Sequence, residues 1–152
     1  MKKRYLAVVL AAMMAMSASV IVHADEKEVT IKLGYTHSNP NPEESDEVMY
    51  AETFKKYVEE NCDSIKVELY PGNALGSQPD TVGAVSAGTV QMTIQNSSLL
   101  NNYDPNTMIF SMPGAFLDIE ETNAVMDSDW AKEILEETCK NTGIRVLGNS
   151  CT

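Results

Sequence analysis

The chain has 152 residues, and its 22 aspartates and glutamates outnumber its 11 lysines and arginines, which gives a formal net charge of −11. Nucleic acids and anionic membrane surfaces select basic proteins, so this balance excludes both as predicted partners. The length allows one domain with a modest hydrophobic core.

The N-terminus predicts a secretion signal. Three basic residues, Lys2 to Arg4, precede an apolar run from Tyr5 to Met16, and small residues lead to a cleavage site between Ala24 and Asp25. An uncleaved anchor helix is the alternative, but the run is short for a membrane span. Cleavage removes three positive charges and no negative ones, so the net charge falls from −11 to −14. We therefore expect a soluble periplasmic protein that begins at residue 25.

The first half of the mature chain predicts strands that alternate with helices. Val29–Tyr35 alternates apolar and polar residues like a strand, and Glu43–Asn61 repeats apolar residues at helical spacing. Ile65–Tyr70 is a second β-rich run. Ser77 is placed to cap a short helix, and Gly88 is placed to end it.

The second half continues the same alternation. Two short apolar runs predict strands at Gln91–Gln95 and Met108–Met112. Asp118 is expected to cap a helix that ends at Met126. A last helix is predicted at Asp129–Thr142, with Trp130 on its core face. Gly143 is expected to end this helix, and Ile144–Leu147 is predicted to be a final strand.

This order of elements predicts the fold class. Strands that alternate with helices form right-handed βαβ units, so we expect an α/β fold with a mainly parallel sheet flanked by helices. No linker divides residues 29–148, which therefore predict a single unit.

The cysteines leave two interpretations open. Cys62, Cys139 and Cys151 give an odd count, and a Cys62–Cys139 bridge is one alternative in an oxidising compartment. Three free thiols are favoured because no compact disulfide framework is visible. No metal-ligand spacing is present, and neither a Walker loop nor a GxGxxG fingerprint predicts a cofactor.

The candidate ligand-binding residues follow strand ends or begin the neighbouring helix, where open parallel sheets bind small ligands. Each has a plainer alternative: a solvated loop for the polar residues and core packing for the phenylalanine. The eight candidates are Tyr35, His37, Ser38, Gln78, Gln95, Asn96, Ser97 and Phe116.

A family resemblance is carried by the stretch from Val67 to Ile94. Its ordered residues resemble the N-terminal lobe of the TRAP (tripartite ATP-independent periplasmic) transporter solute-binding proteins, a group often described as C4-dicarboxylate-binding. Ile31–Tyr35, Met112–Leu117 and Ile144–Gly148 resemble other segments of that lobe, although Gly114 and Ala115 depart from the pattern. The residues that match within the central stretch are Tyr70, Pro71, Asn73, Leu75, Gly76, Ser77, Gly88, Thr89, Met92 and Thr93.

The resemblance implies a receptor that captures a small, dicarboxylate-like organic acid and delivers it to TRAP membrane permease subunits, without catalysis or a cofactor. It also implies that the turn after the first strand lines the ligand. Family members are about twice this long and have two lobes, so the resemblance implies a first lobe whose second lobe is missing. In the family an arginine of the second lobe holds the ligand carboxylate, a role that the resemblance does not give to Arg145. Contacts from one lobe predict millimolar binding at best.

Two other functions stay open at this point. One is a small secreted α/β hydrolase that uses His37 with a serine, although GxSxG and HExxH motifs are absent. The other is a non-catalytic secreted domain whose sheet edge recruits another chain.

Overall fold

The computed structural model describes residues 28–39, 41–116 and 118–148, so the predicted signal peptide and Cys151 lie outside the described residues. Its strands are β1 (Val29–Gly34), β2 (Ile65–Tyr70) and β3 (Met92–Thr93). They form one parallel sheet in the order β2-β1-β3. The central strand β1 pairs with β2 along its whole length and with β3 only at its last two residues, so the three strands meet at their carboxyl ends. The predicted parallel α/β architecture is confirmed.

Capping residues set the limits of the helices. Ser77, Asp118 and Ser128 each accept a hydrogen bond from a backbone N–H in the first turn, as helix N-caps do. Gly143 ends the last helix with a left-handed φ of 74°. The α-helices are α1 (Asp46–Asn61), α2 (Gln78–Ser86), α3 (Ile119–Met126) and α4 (Asp129–Thr142), and the 3-10 helices are η1 (Ser97–Asn102) and η2 (Pro105–Ser111).

Two predicted strands are wrong. Met108–Met112 lies largely within η2, because Asp104 caps this segment and Pro105 begins it. A cap followed by proline favours a helical turn over the extended backbone that the apolar run suggested. Ile144–Leu147 has no regular structure and pairs with no strand among the described residues. Ile144 is buried, but Leu147 is 69% exposed, so burial holds only the start of this segment.

The core lies between the sheet and α1. Leu33, Tyr35, Val48, Ala51 and Val67 are buried there, and partly buried apolar side chains of α1 and the sheet pack around them. The helical spacing of apolar residues in α1 was only partly a guide to its buried face. Phe54 and Val58 pack against the core, but the tyrosines predicted with them, Tyr50 and Tyr57, are exposed.

The prediction of a core tryptophan is wrong. Trp130 is 50% exposed, and its ring meets the ring of Phe110 edge to face at a centroid distance of 6.1 Å. The buried residues of α4 are Ala131 and Thr138, so the inward face of this helix is rotated away from the tryptophan.

The two thiols in the described part of the chain are free. Cys62 and Cys139 are both partly buried and unpaired, which agrees with the favoured interpretation of the cysteines.

A buried carboxylate joins η2 to α4. Asp104 is 3% exposed, and it accepts hydrogen bonds from the Asn106 N–H at 3.0 Å and from the Thr138 hydroxyl at 2.9 Å. These donors, the Asn106 N–H first, lower the pKa of Asp104 below its ordinary value because they favour the charged form. The ionised carboxylate therefore stabilises the fold.

Acid is expected to weaken this connection. Because the pKa of Asp104 is lower in the folded than in the unfolded chain, its stabilisation is complete above the unfolded pKa of about 4 and is lost as the pH falls through the folded pKa. The thermal midpoint, followed by circular dichroism, should fall with pH in this window. Asp104→Asn should show a shallower fall, although Glu59 and Glu136, whose pKa values are also lowered, keep some slope. An unchanged slope in the variant would contradict this assignment.

Candidate ligand-binding site

The site begins where the three strands end. The Gly34 carbonyl accepts hydrogen bonds from the Ile94 N–H and from the Thr93 hydroxyl, each at 2.9 Å. On the other side, the Tyr35 N–H donates to the Tyr70 carbonyl at 3.1 Å. These bonds extend the sheet by one residue, and the loop after β1 begins at Thr36. The carboxyl edge of a parallel sheet is where α/β proteins bind small ligands.

Three polar side chains meet at this edge. The Thr36 hydroxyl accepts a hydrogen bond from the Gln78 amide nitrogen at 2.9 Å and donates one to the Gln95 carbonyl oxygen at 3.3 Å. All three residues are partly buried. Thr36 follows β1, Gln78 begins α2 and Gln95 follows β3 closely, so one hydroxyl joins three separate segments. We call these residues the Thr36 cluster.

The loop after β1 is held by a carboxylate that the sequence did not reveal. One oxygen of Glu47 accepts hydrogen bonds from the Thr36 N–H at 3.0 Å and from the His37 N–H at 2.8 Å. Glu47 lies in the first turn of α1, where a carboxylate is ordinarily explained by the helix dipole. No local spacing predicts that it also reaches back across ten residues, so only the structure shows this role.

A second loop closes against the first. The Gly72 N–H donates to the His37 carbonyl and the Asn73 N–H donates to the Tyr35 carbonyl, each at 3.1 Å. Gly72 has a φ of 63°, and a Cβ placed on it would lie 2.9 Å from the Ser38 hydroxyl oxygen. A glycine therefore suits this position for both conformation and space.

The structure places the eight predicted site residues unequally. Gln78 and Gln95 join the Thr36 cluster, and His37 and Ser38 lie in the loop beside it. Tyr35 is only 2% exposed and belongs to the core; burial, followed by the charges of Glu52 and Glu47, raises the pKa of its hydroxyl.

The remaining three predicted residues lie further along the chain. Asn96 caps η1 by accepting from the Ser98 N–H at 2.9 Å, and Ser97 begins that helix. Phe116 is partly buried and lies between η2 and α3. Ligand contact by any of the eight residues stays a prediction.

A metal-ion site is not found in the described ranges. No group of three or more histidine, cysteine, aspartate or glutamate side chains is arranged to hold a metal ion there. The Arg145 guanidinium forms two bonds with the carboxylate of Glu136, the shorter at 2.9 Å, so it is engaged at α4. None of the helices described here is long and apolar enough to cross a bilayer.

The chain can be assigned to a protein family from a sequence match that covers most of its length. The sequence profile described as bacterial extracellular solute-binding protein, family 7, matches residues 37–150. The chain belongs to this family. Its members are solute-binding receptors, which agrees with the resemblance found in the sequence.

Individual family 7 relatives support the same conclusion. A solute-binding protein of Roseobacter denitrificans is 26% identical over 138 residues, which are 91% of this chain and 41% of the relative. The crystal structure of a TRAP periplasmic solute-binding protein of that organism, with bound L-galactonate, has a TM-score of 0.70 at 27% identity over 78% of this chain and 38% of that chain. A counterpart from Haemophilus influenzae with bound L-gulonate has a TM-score of 0.69 at 30% identity, over 79% and 38% of the two chains.

A further crystal structure, of a TRAP periplasmic solute-binding protein from Pseudomonas aeruginosa with bound L-malate, has a TM-score of 0.64 at 30% identity over 74% of this chain and 38% of that chain. The family 7 chain described here thus spans about two fifths of the length of the relatives that it matches. The lobe-like fold and the TRAP resemblance are confirmed. The dicarboxylate-like ligand stays a prediction, since two of these three relatives hold sugar acids.

Proposed function

We propose that this chain supplies one wall of a periplasmic receptor that captures a small organic acid for a TRAP transporter. The observation that carries the proposal is the Thr36 cluster, which gathers neutral hydrogen-bonding groups at the carboxyl edge of a parallel sheet. The receptor binds its ligand reversibly and makes or breaks no bond, so it is not an enzyme. Its partners are the ligand and the membrane permease subunits.

The chemistry of this wall favours the hydroxyl groups of a ligand over its carboxylate. A threonine hydroxyl and two amides donate and accept hydrogen bonds without net charge. The nearby Glu47 carboxylate, bonded to the Thr36 and His37 N–H groups, adds a negative charge beside them. A ligand anion is therefore expected to turn its hydroxyls toward the cluster and its carboxylate away.

A polyhydroxylated acid is the ligand class that these features support. L-galactonate and L-gulonate, which two of the relatives hold, belong to that class. L-malate, held by another relative, carries fewer hydroxyls and a second carboxylate. We propose that this chain prefers sugar acids, with dicarboxylates as the weaker competitors.

Delivery to the periplasm completes the proposal. Residues 1–24 act as a secretion signal, and the mature chain begins at Asp25. Protein recovered from the periplasm, with a mass that corresponds to cleavage after Ala24, is the material for the binding test.

The test removes the hydroxyl at the centre of the cluster. Thr36→Val keeps the shape of the side chain but leaves the amides of Gln78 and Gln95 without their shared partner. We expect the dissociation constant for L-galactonate, measured by NMR titration, to rise by about tenfold, the effect of roughly 1.4 kcal/mol of lost or unpaired hydrogen bonds.

The matched control is Thr30→Val, at an exposed position near the start of β1, the strand that Thr36 follows. It should leave the dissociation constant unchanged. Equal affinities in the wild type and both variants would show that the Thr36 cluster is not part of the ligand site.

A further inference from the structure

The outer edge of β2 carries a feature unrelated to the ligand site. Among the described strands β2 pairs only with β1, so its other side is an edge. The Ser64 and Tyr70 carbonyls accept from the N–H groups of Val29 and Tyr35. Because successive residues of a strand turn their backbone groups to opposite sides, the N–H and C=O of Val67 point away from β1.

An ion pair from α1 occupies that outward position. The Lys55 ammonium donates to the Val67 carbonyl at 2.6 Å, and the Glu59 carboxylate accepts from the Val67 N–H at 2.9 Å. The two side chains also bond each other at 2.7 Å, at the i,i+4 spacing that faces one side of a helix. Together they give Val67 one donor and one acceptor, which is what a residue of a neighbouring strand would give.

Among the described residues, no other strand pairs with β2 on this side. An open concavity of about 460 Å³ lies beside the edge and is lined by residues that include Lys55, Glu59 and Val67. Its outer side is open to solvent, so an approaching strand would first meet these two side chains. The hydrogen bond from Lys55, followed by that from Val67, lowers the pKa of Glu59, which therefore stays ionised near neutral pH.

We propose that the Lys55–Glu59 pair is an edge guard, which imitates a neighbouring strand at Val67 and keeps β2 from pairing with the same strand of a second copy of this chain. Exposed strand edges recruit other strands, and charged side chains are a known protection against this. The β2 edges of two copies are identical, so an unguarded edge can close as a symmetric pair. The alternative of a secreted domain that recruits a chain through its sheet edge is thereby disfavoured at β2.

The test compares a variant that lacks the guard with a variant that lacks a matched pair on the same helix. Lys55→Ala/Glu59→Ala opens the edge, whereas Lys56→Ala/Glu60→Ala makes the same substitutions at the same spacing on an exposed part of α1. We expect the wild type and the control to stay monomeric by light scattering at all concentrations. The mass of the guard variant should rise with concentration toward that of two chains.

Amide hydrogen exchange locates the new contact. In the associated guard variant the outward N–H groups of Val67 and Leu69 should exchange more slowly than in a dilute sample of the same variant. Association without this protection would overturn the proposal, as would a folded guard variant that stays monomeric. If the double variant does not fold, Lys55→Met/Glu59→Met keeps most of both stems and removes both hydrogen bonds to Val67. A folded form of this variant that stays monomeric would equally overturn the proposal.

Discussion

Replacing Leu33 with alanine is expected to lower the free energy of unfolding by about 2–5 kcal/mol, the usual cost of truncating a buried leucine. Leu33 is fully buried on the central strand, opposite Leu69 of β2 and Met92 of β3. A small domain has only about 5–15 kcal/mol in total, so this one change removes much of the stability. Urea unfolding followed by circular dichroism measures the loss.

Val29→Ala is the control for that experiment, because Val29 lies on the same strand and is 51% exposed. Its cost should stay within about 0.5 kcal/mol, as for most surface substitutions. Similar losses in the two variants would mean that the core does not lie where the structure places it.

Replacing Glu47 with alanine is expected to cost about 2–3 kcal/mol and to loosen the loop after β1. The carboxylate accepts two N–H groups from Thr36 and His37, and hydrogen bonds to charged groups contribute more than neutral ones. Without it both N–H groups lose their partner, and the Thr36 hydroxyl is less well placed. Urea unfolding gives the stability, and NMR line widths at residues 36–38 report the loop.

Asp46→Ala is the matched control for Glu47, since both acids lie in the first turn of α1. Both variants remove a charge that the helix dipole favours, an effect of about 0.3–1 kcal/mol. The difference between them therefore isolates the bonds to the loop. Equal costs, with an unchanged loop, would show that Glu47 acts only on its own helix.

Local signals in the sequence were sufficient for most elements. β2 has the predicted limits, and Ser77, Asp118 and Gly143 cap or end helices as expected, because capping depends on a few adjacent residues. Met108–Met112 was misassigned because a short apolar run does not distinguish a strand from a helical segment. The preceding Asp104 and Pro105 were the signal that favoured η2.

The candidate site was predictable only in outline. The rule that ligands lie at the carboxyl ends of strands selected Gln95, and the start of the neighbouring helix selected Gln78. The structure brings these two residues together. The bridging role of Thr36 depends on register between strands far apart in the chain, and the reach of Glu47 depends on how α1 packs. Neither leaves a pattern in neighbouring residues. Tyr35 follows the same strand, but the alternation of side chains turns it into the core.

The most direct measurement of the central claim is an NMR titration of residues 25–152, labelled with ¹⁵N, with L-galactonate. Binding in the millimolar range, about −4 kcal/mol, is expected from one wall of a cleft, and NMR detects such weak contacts. We predict that the largest shifts occur at the Thr36 amide and at the side-chain amides of Gln78 and Gln95, and that L-malate causes smaller ones. Shifts confined to other surfaces, or none at saturating L-galactonate while the chain is folded, would contradict it.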